Sequence, residues 1–222
     1  MPDIHNSLTQ YGLRVLSWQP TPVDLHAQYP WAQSLLMAGQ GGQGYWPILS
    51  QSPEFNDQAK DPIDRWSQRI GEQLAEQFYG LALYPFTGPP YWPFLSWAQQ
   101  AGDTVPSRLG MHLHHVYGLW HSYRFALLLP TGVPTAVAQP NQAHQSPCPS
   151  CLQPCLATCP VNAFVEEGKY LVDQCRAYVS SNPQSPCFTQ GCQSRLACPE
   201  GQGSHEQAQH QYHMRIFAKA IG

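Results

Sequence analysis

The chain has 222 residues, a formal net charge of −3 and only 11% charged residues, well below the roughly 25% of an average soluble protein. Its length allows a medium domain with a real core plus a smaller module, and 12% aromatic residues argue against disorder. The 11 Lys and Arg are scattered, so no basic nucleic-acid footprint is present, and 25 glutamines carry much of the polarity. No apolar run is long enough to span a membrane. The first ten residues, MPDIHNSLTQ, have neither the basic nor the apolar region of a signal peptide. The expectation is a cytoplasmic protein.

In chain order, Ser34–Ala38 (SLLMA) is a short apolar run closed by glycines and predicts a buried strand. Residues 61–80 predict the clearest helix. Asp61 is its expected N-cap, Pro62 fits the first helical position, and Asp64 suits the helix dipole. Ile63, Trp66, Ile70, Leu74 and Phe78 recur at spacings of three and four to form one apolar stripe. Gly80 is expected to close that helix in a left-handed conformation. Leu81–Leu83 reads as a strand, the segment WPFLSWAQQAG as a shorter helix with Pro93 in its first turn, and Tyr123–Leu129 as the strongest strand. The fold class expected is mixed α/β (α+β). Residues 1–130 form an N-terminal domain, 131–147 a polar Pro- and Gln-bearing linker, 148–204 a cysteine module, and 205–222 a closing helix packing through Tyr212, Ile216 and Phe217.

Gly39, Gly41 and Gly44 fit the spacing G-x-G-x-x-G, but Tyr45-Trp46-Pro47 stands where the following helix of a dinucleotide site should begin, so a loop is the better reading. His112, His114, His115 and His121 cluster. On a strand, His112 and His114 share a face, and with Tyr117, Trp120 and Arg124 they suggest a ligand pocket; the plainer reading is structural hydrogen bonding. Arg124, set in an apolar strand, calls for an acidic or ligand partner. His205, His210 and His213 are expected on the final helix, with His210 and His213 facing solvent. No nucleophile elbow or phosphate-binding loop is present, so hydrolase and kinase chemistry lack support.

All eight cysteines lie between Cys148 and Cys198. Cysteines used as small core hydrophobes would not distribute this way. Cys148, Cys151, Cys155 and Cys159 follow C-x2-C-x3-C-x3-C-P, one residue longer than a common bacterial iron–sulfur run, C-x2-C-x2-C-x3-C-P. Cys175, Cys187, Cys192 and Cys198 follow, the last again before proline. In two-cluster ferredoxins the cysteine before proline ligates the other cluster. The expected assignment is therefore one [4Fe–4S] cluster on Cys148, Cys151, Cys155 and Cys198, and a second on Cys159, Cys175, Cys187 and Cys192. Leu152, Leu156, Val161, Phe164 and Leu196 would restrict water. Four disulfides or two zinc sites use the same residues, and both stay open at this level.

The cysteine order, with VDQC between its halves, resembles the dicluster ferredoxin module of epoxyqueuosine reductases and related cobalamin-dependent reductases, and the chain is also similar to shorter bacterial proteins described as ferredoxins. GLRVLSW, AQSLLMAG, FTGPPYWPFLSWAQQAG and LGMHLHHVYGLWHSYRFALLL resemble other stretches of that family. The resemblance implies a reductase-like α/β domain joined to the cluster module, and single-electron transfer to a cofactor in the first domain or to a redox partner protein. It makes cobalamin or flavin conceivable without identifying a binding residue. In the family the motif D-T-G/A-P carries a proton-donating aspartate; Phe86 stands at that position here, which argues against epoxyqueuosine as substrate. Two other classes remain: a non-catalytic binding module stapled by Fe–S or zinc, and a cobalamin- or flavin-dependent reductase of another substrate.

Overall fold

The computed structural model describes residues 3–135, 144–166 and 169–219. The first elements are α1 (Ile4–Thr9), β1 (Arg14–Pro20), α2 (Val23–Gln28), β2 (Ser34–Gly41), α3 (Tyr45–Leu49), α4 (Pro53–Asn56) and α5 (Pro62–Gln77). β3 (Leu81–Leu83), α6 (Phe94–Gln100), β4 (Thr104–Pro106), β5 (His112–His114) and β6 (His121–Leu129) follow. The cysteine region contains a 3₁₀ turn at Cys148–Ser150, α7 (Pro154–Ala157), β7 (Phe164–Glu166), β8 (Lys169–Tyr170), α8 (Val172–Ser181), α9 (Pro186–Thr189), α10 (Gln193–Leu196) and α11 (Gln207–Lys219). Among the described residues no helix is long and apolar enough to cross a membrane.

The chain forms two compact units, 1–103 with 121–144, and 104–120 with 145–222. They do not follow the expected division at residue 130. The segment 104–120 belongs with the cysteine region because Leu109, Leu113 and Leu119 bury against Cys155 and Cys198. Much of the expected linker, residues 136–143, lies outside the described residues.

The first unit is built on an antiparallel sheet ordered β1-β2-β6-β3. Every residue of β2 is buried, as expected of a central strand covered on both faces. Two register irregularities converge beside Ala38 and Gly39, where Leu16 on β1 and Arg124 on β6 are the extra residues. A Cβ at Gly39 would meet the Ser122 carbonyl oxygen at 2.0 Å, so the close approach there requires glycine. The stripe on α5 buries Trp66, Ile70 and Leu74 beside Leu36, Phe125 and Leu127. Each such side chain contributes about 1.5–3 kcal/mol relative to exposure. On α6, Trp97 and Phe94 are buried, and Gln19 Nε2 donates to the Trp97 carbonyl at 2.9 Å.

Local details correct the sequence reading. Asp61 occupies the N-cap position of α5 but has a left-handed backbone and makes no capping bond. Tyr79, not Gly80, takes the left-handed conformation after the helix. Gly80 is needed for another reason: its Cβ would lie 2.3 Å from the Leu128 carbonyl oxygen. A short helix, α3, does follow Gly44, yet the preceding strand lies in an antiparallel sheet and not in a βαβ unit.

The second unit has two small cores. One joins Leu109, Leu113, Leu119, Cys155 and Cys198, with Cys148, Leu156 and Phe164 packed against it. The other joins Val179, Cys187, Met214 and Ala218, with Cys175, Cys192 and Phe217 against it. The backbones of Tyr117-Gly118 and Glu200-Gly201 touch: a Cβ on Gly118 would lie 2.3 Å from the Glu200 oxygen, and one on Gly201 2.3 Å from the Tyr117 oxygen. On α11, Met214 and His210 are buried and Ile216 is half exposed, so the helix packs through a face rotated from the expected one. His205 precedes α11 rather than lying on it.

Candidate metal centre

Cys148 begins a 3₁₀ turn after Pro147, and Pro154 and Pro186 each open a short helical turn with Cys155 and Cys187 beside them. Proline at the first helical position costs no hydrogen bond, and the cysteine beside it is carried on the first turn. Ser185 caps the last of these turns, accepting from the Phe188 N–H at 3.3 Å. Each thiol is thereby held on a tight, locally determined bend.

Burial raises thiols in both of the expected sets of four. Burial pushes the Cys155 thiol above its ordinary pKa, and Cys148 and Cys151 add repulsion. Cys198 is raised in the same way, by burial and then by Cys155 and Cys148. In the other set, burial raises Cys175, with Cys159 as a neighbouring like charge. Cys187 is raised by burial and then by Cys175 and Cys159. Cys192 is pushed up to about 11, chiefly by burial, with Cys187 and Cys175 adding to it. Cys148, Cys155 and Cys198 share one small core, and Cys175, Cys187 and Cys192 share the other. None of the eight is in a disulfide.

Backbone amides point at these sulfurs. Gln153, whose left-handed backbone turns the chain, donates its N–H to Cys151 Sγ at 3.3 Å, and Ala163 donates to Cys159 Sγ at 3.2 Å. Further amides reach sulfur: Gln193 to Cys187, Arg195 and Ser194 to Cys192, and Glu200 to Cys198. Such bonds favour the anionic thiolate against the burial that opposes it. The Tyr170 hydroxyl bonds Cys175, and its ring stacks on Phe164 at 5.0 Å. Among the described residues, no three His, Cys, Asp or Glu side chains gather closely enough to hold a single metal ion.

The expected apolar surround is only partly present. Leu156 and Phe164 pack against the first set, whereas Leu152 is fully exposed. The expected ligand pocket is divided between the two units. Arg124 lies in the first, where its Nη1 is 4.0 Å from Asp64 Oδ1, the acidic partner its apolar strand called for. His112, His114, Tyr117 and Trp120 lie in the second. His112 contacts Thr104 Oγ1 at 3.3 Å and lines a cavity of about 470 Å³ with Arg108, Ser146, Cys148 and Gln153. His114 Nδ1 instead accepts from the Val116 and Tyr117 N–H groups of its own turn.

Three residues near the second set escaped the sequence reading. His210, expected at the surface, is buried and its Nε2 accepts from the Cys192 N–H at 3.3 Å. Burial, then Arg195, His205 and His213, hold its pKa down to about 3. Arg195 sits over the Trp120 ring, 4.4 Å from its centre, and Tyr170 reaches Cys175. The available signal was an arginine three residues from both Cys192 and Cys198 in a chain this poor in charge.

No protein-family model matches the chain, and no curated protein matches it. Solved structures of epoxyqueuosine reductases do. A selenomethionine-labelled epoxyqueuosine reductase is 15% identical, with 84% of this chain and 54% of that one covered at a TM-score of 0.45. One bound to an epoxyqueuosine-modified tRNA-Tyr stem loop is 15% identical, covering 82% and 52% at 0.46. The Bacillus subtilis enzyme, with its catalytic loop swung out of the active site, is 13% identical, covering 92% and 68% at 0.47. The chain spans about half the length of the first two.

Proposed function

We propose that this chain is an iron–sulfur electron-transfer protein with two [4Fe–4S] clusters. One is held by Cys148, Cys151, Cys155 and Cys198, the other by Cys159, Cys175, Cys187 and Cys192. The observation that supports the reading is that Cys148, Cys155 and Cys198 share one small core and Cys175, Cys187 and Cys192 the other. None is in a disulfide, and backbone N–H groups are directed at the sulfurs of Cys151 and Cys159. When bound, the clusters supply one-electron oxidation and reduction. The thiolates fix their position, and the amide N–H groups stabilise negative charge at sulfur. Leu109, Leu113 and Leu119 exclude water around the first group. Electrons pass singly to a cofactor in the N-terminal unit or to a redox partner protein. Phe86 stacks on Tyr84 at 5.3 Å and packs against the core of the first unit. A phenyl ring there supplies no proton, which favours electron carriage over acid-assisted reduction of epoxyqueuosine.

Anaerobic purification with iron, sulfide, cobalt, zinc and flavin analysis tests the reading. The expected product is brown and carries iron and acid-labile sulfide for two clusters; Cys151→Ala and Cys175→Ala each remove a different reduced-state EPR signal. Colourless protein carrying zinc would favour a metal-stapled binding module, and retained cobalt or flavin would favour a reductase.

A further inference from the structure

Arg195 is one of 11 basic Lys and Arg residues in the chain, and it stands on α10 between Cys192 and Cys198. Its Nε donates to the Leu119 carbonyl at 3.0 Å, and its Nη2 donates to the same oxygen. Its guanidinium lies over Trp120, with Cζ 4.4 Å from the ring centre. These contacts fix the group but do not neutralise it. Among the described residues the ion pairs of the second unit include no carboxylate on Arg195, and its helix, α10, begins directly after Cys192. Burial lowers its pKa to about 10, so it stays charged at neutral pH. A buried cation without a carboxylate is costly unless another negative group faces it. A reduced iron–sulfur cube on four thiolates is such a group.

We propose, resting on the two-cluster reading above, that Arg195 is a positioning cation for the second centre: clamped by Trp120 and Leu119 beside Cys192, it raises the reduction potential of the cluster on Cys159, Cys175, Cys187 and Cys192. An added electron makes the cluster more negative, so a fixed positive charge stabilises the reduced form more than the oxidised one. The larger effect is expected at the second cluster, because Arg195 lies on the short helix that Cys192 begins.

The test is an anaerobic EPR-monitored reductive titration of the full chain, with the second signal assigned by its loss in Cys175→Ala. Arg195→Gln should move that signal to lower potential and leave the other in place, with iron and sulfide unchanged. Arg195→Lys, which keeps the charge, should restore most of the shift. Trp120→Leu, which frees the guanidinium, should lower the same signal. Unshifted potentials in fully loaded Arg195→Gln protein overturn the inference and leave the two-cluster reading intact. Loss of the second cluster in both Arg195→Gln and Arg195→Lys makes the residue a structural prop and also overturns it. Wild-type protein without iron and sulfide overturns the inference and the reading together.

Discussion

The two units reach order by different means. In the first, a four-stranded sheet buries β2 completely and α5 lays Trp66, Ile70 and Leu74 against Phe125 and Leu127. In the second, the strands have two or three residues, and α7, α9 and α10 have four each. Helices that short are not stable by themselves, and each small core includes cysteines among its buried members. Hydrophobic burial accounts for the first unit. On the two-cluster proposal, the second gains folding free energy from metal clusters that bind only the folded form.

The largest expected effect follows from that contrast. Stripping iron anaerobically with a chelator should abolish amide-exchange protection in α8 to α11 while β2 and β6 keep theirs, read by hydrogen-exchange mass spectrometry. Retained protection throughout the cysteine unit after iron removal would break the comparison. The converse is Phe125→Ala. Phe125 is fully buried in the sheet core, and its truncation should cost about 3–5 kcal/mol. Urea unfolding followed by signals of the first unit should show that loss, with the iron content of the folded protein unchanged.

What could be read from the sequence divides along the same line. The α5 stripe, β3 and most of β6 were legible because burial in the first unit follows regular periodicity. The gathering of the cysteines in one unit was legible because all eight lie between Cys148 and Cys198. The segment 104–120 was not, since its attachment to the cysteine unit rests on Leu109, Leu113 and Leu119 and on backbone contact at Gly118 and Gly201. None of these has a local pattern. His210 and Ile216 were misplaced for a related reason: α11 carries apolar residues on more than one face, and the face it buries is chosen by Cys192 and Val179. Asp61 carries the right residue type for a cap, but its left-handed backbone turns the side chain away from that role.

Tyr170 sharpens the comparison inside the second unit. β7 pairs Phe164 with Tyr170, and the stacked rings hold the hydroxyl at Cys175. Tyr170→Phe keeps the stack and removes one O–H to sulfur bond. A typical bond of this kind contributes about 0.5–1.5 kcal/mol, so the second cluster's potential should fall by no more than about 60 mV for a one-electron couple. The first cluster's potential should not move. Equal shifts in both, seen by EPR-monitored titration, would show that the tyrosine acts on the unit as a whole and not on its sulfur.

The smallest effect belongs to the first unit and depends on pH. Arg69 on α5 donates to both carboxylate oxygens of Glu54 on α4, with Nη2 to Oε2 at 3.1 Å. That bond, more than any other influence, holds the Glu54 pKa below its ordinary 4.5. A carboxyl group whose pKa is depressed by folding contributes its stability above the unfolded value and loses it as the pH falls through the folded one. The Arg69 side chain is 41% exposed, so solvent screening keeps the pair near about 0.5–1 kcal/mol. Glu54→Gln should therefore weaken amide protection in α4 and α5 by that amount near neutral pH. The difference between variant and wild type should vanish as the pH drops well below 4.5. Exchange in the cysteine unit, measured on the same samples at neutral pH, should be identical in the two proteins. A difference that persisted in acid would mean that the substituted amide disturbs packing and that the ion pair contributes nothing of its own.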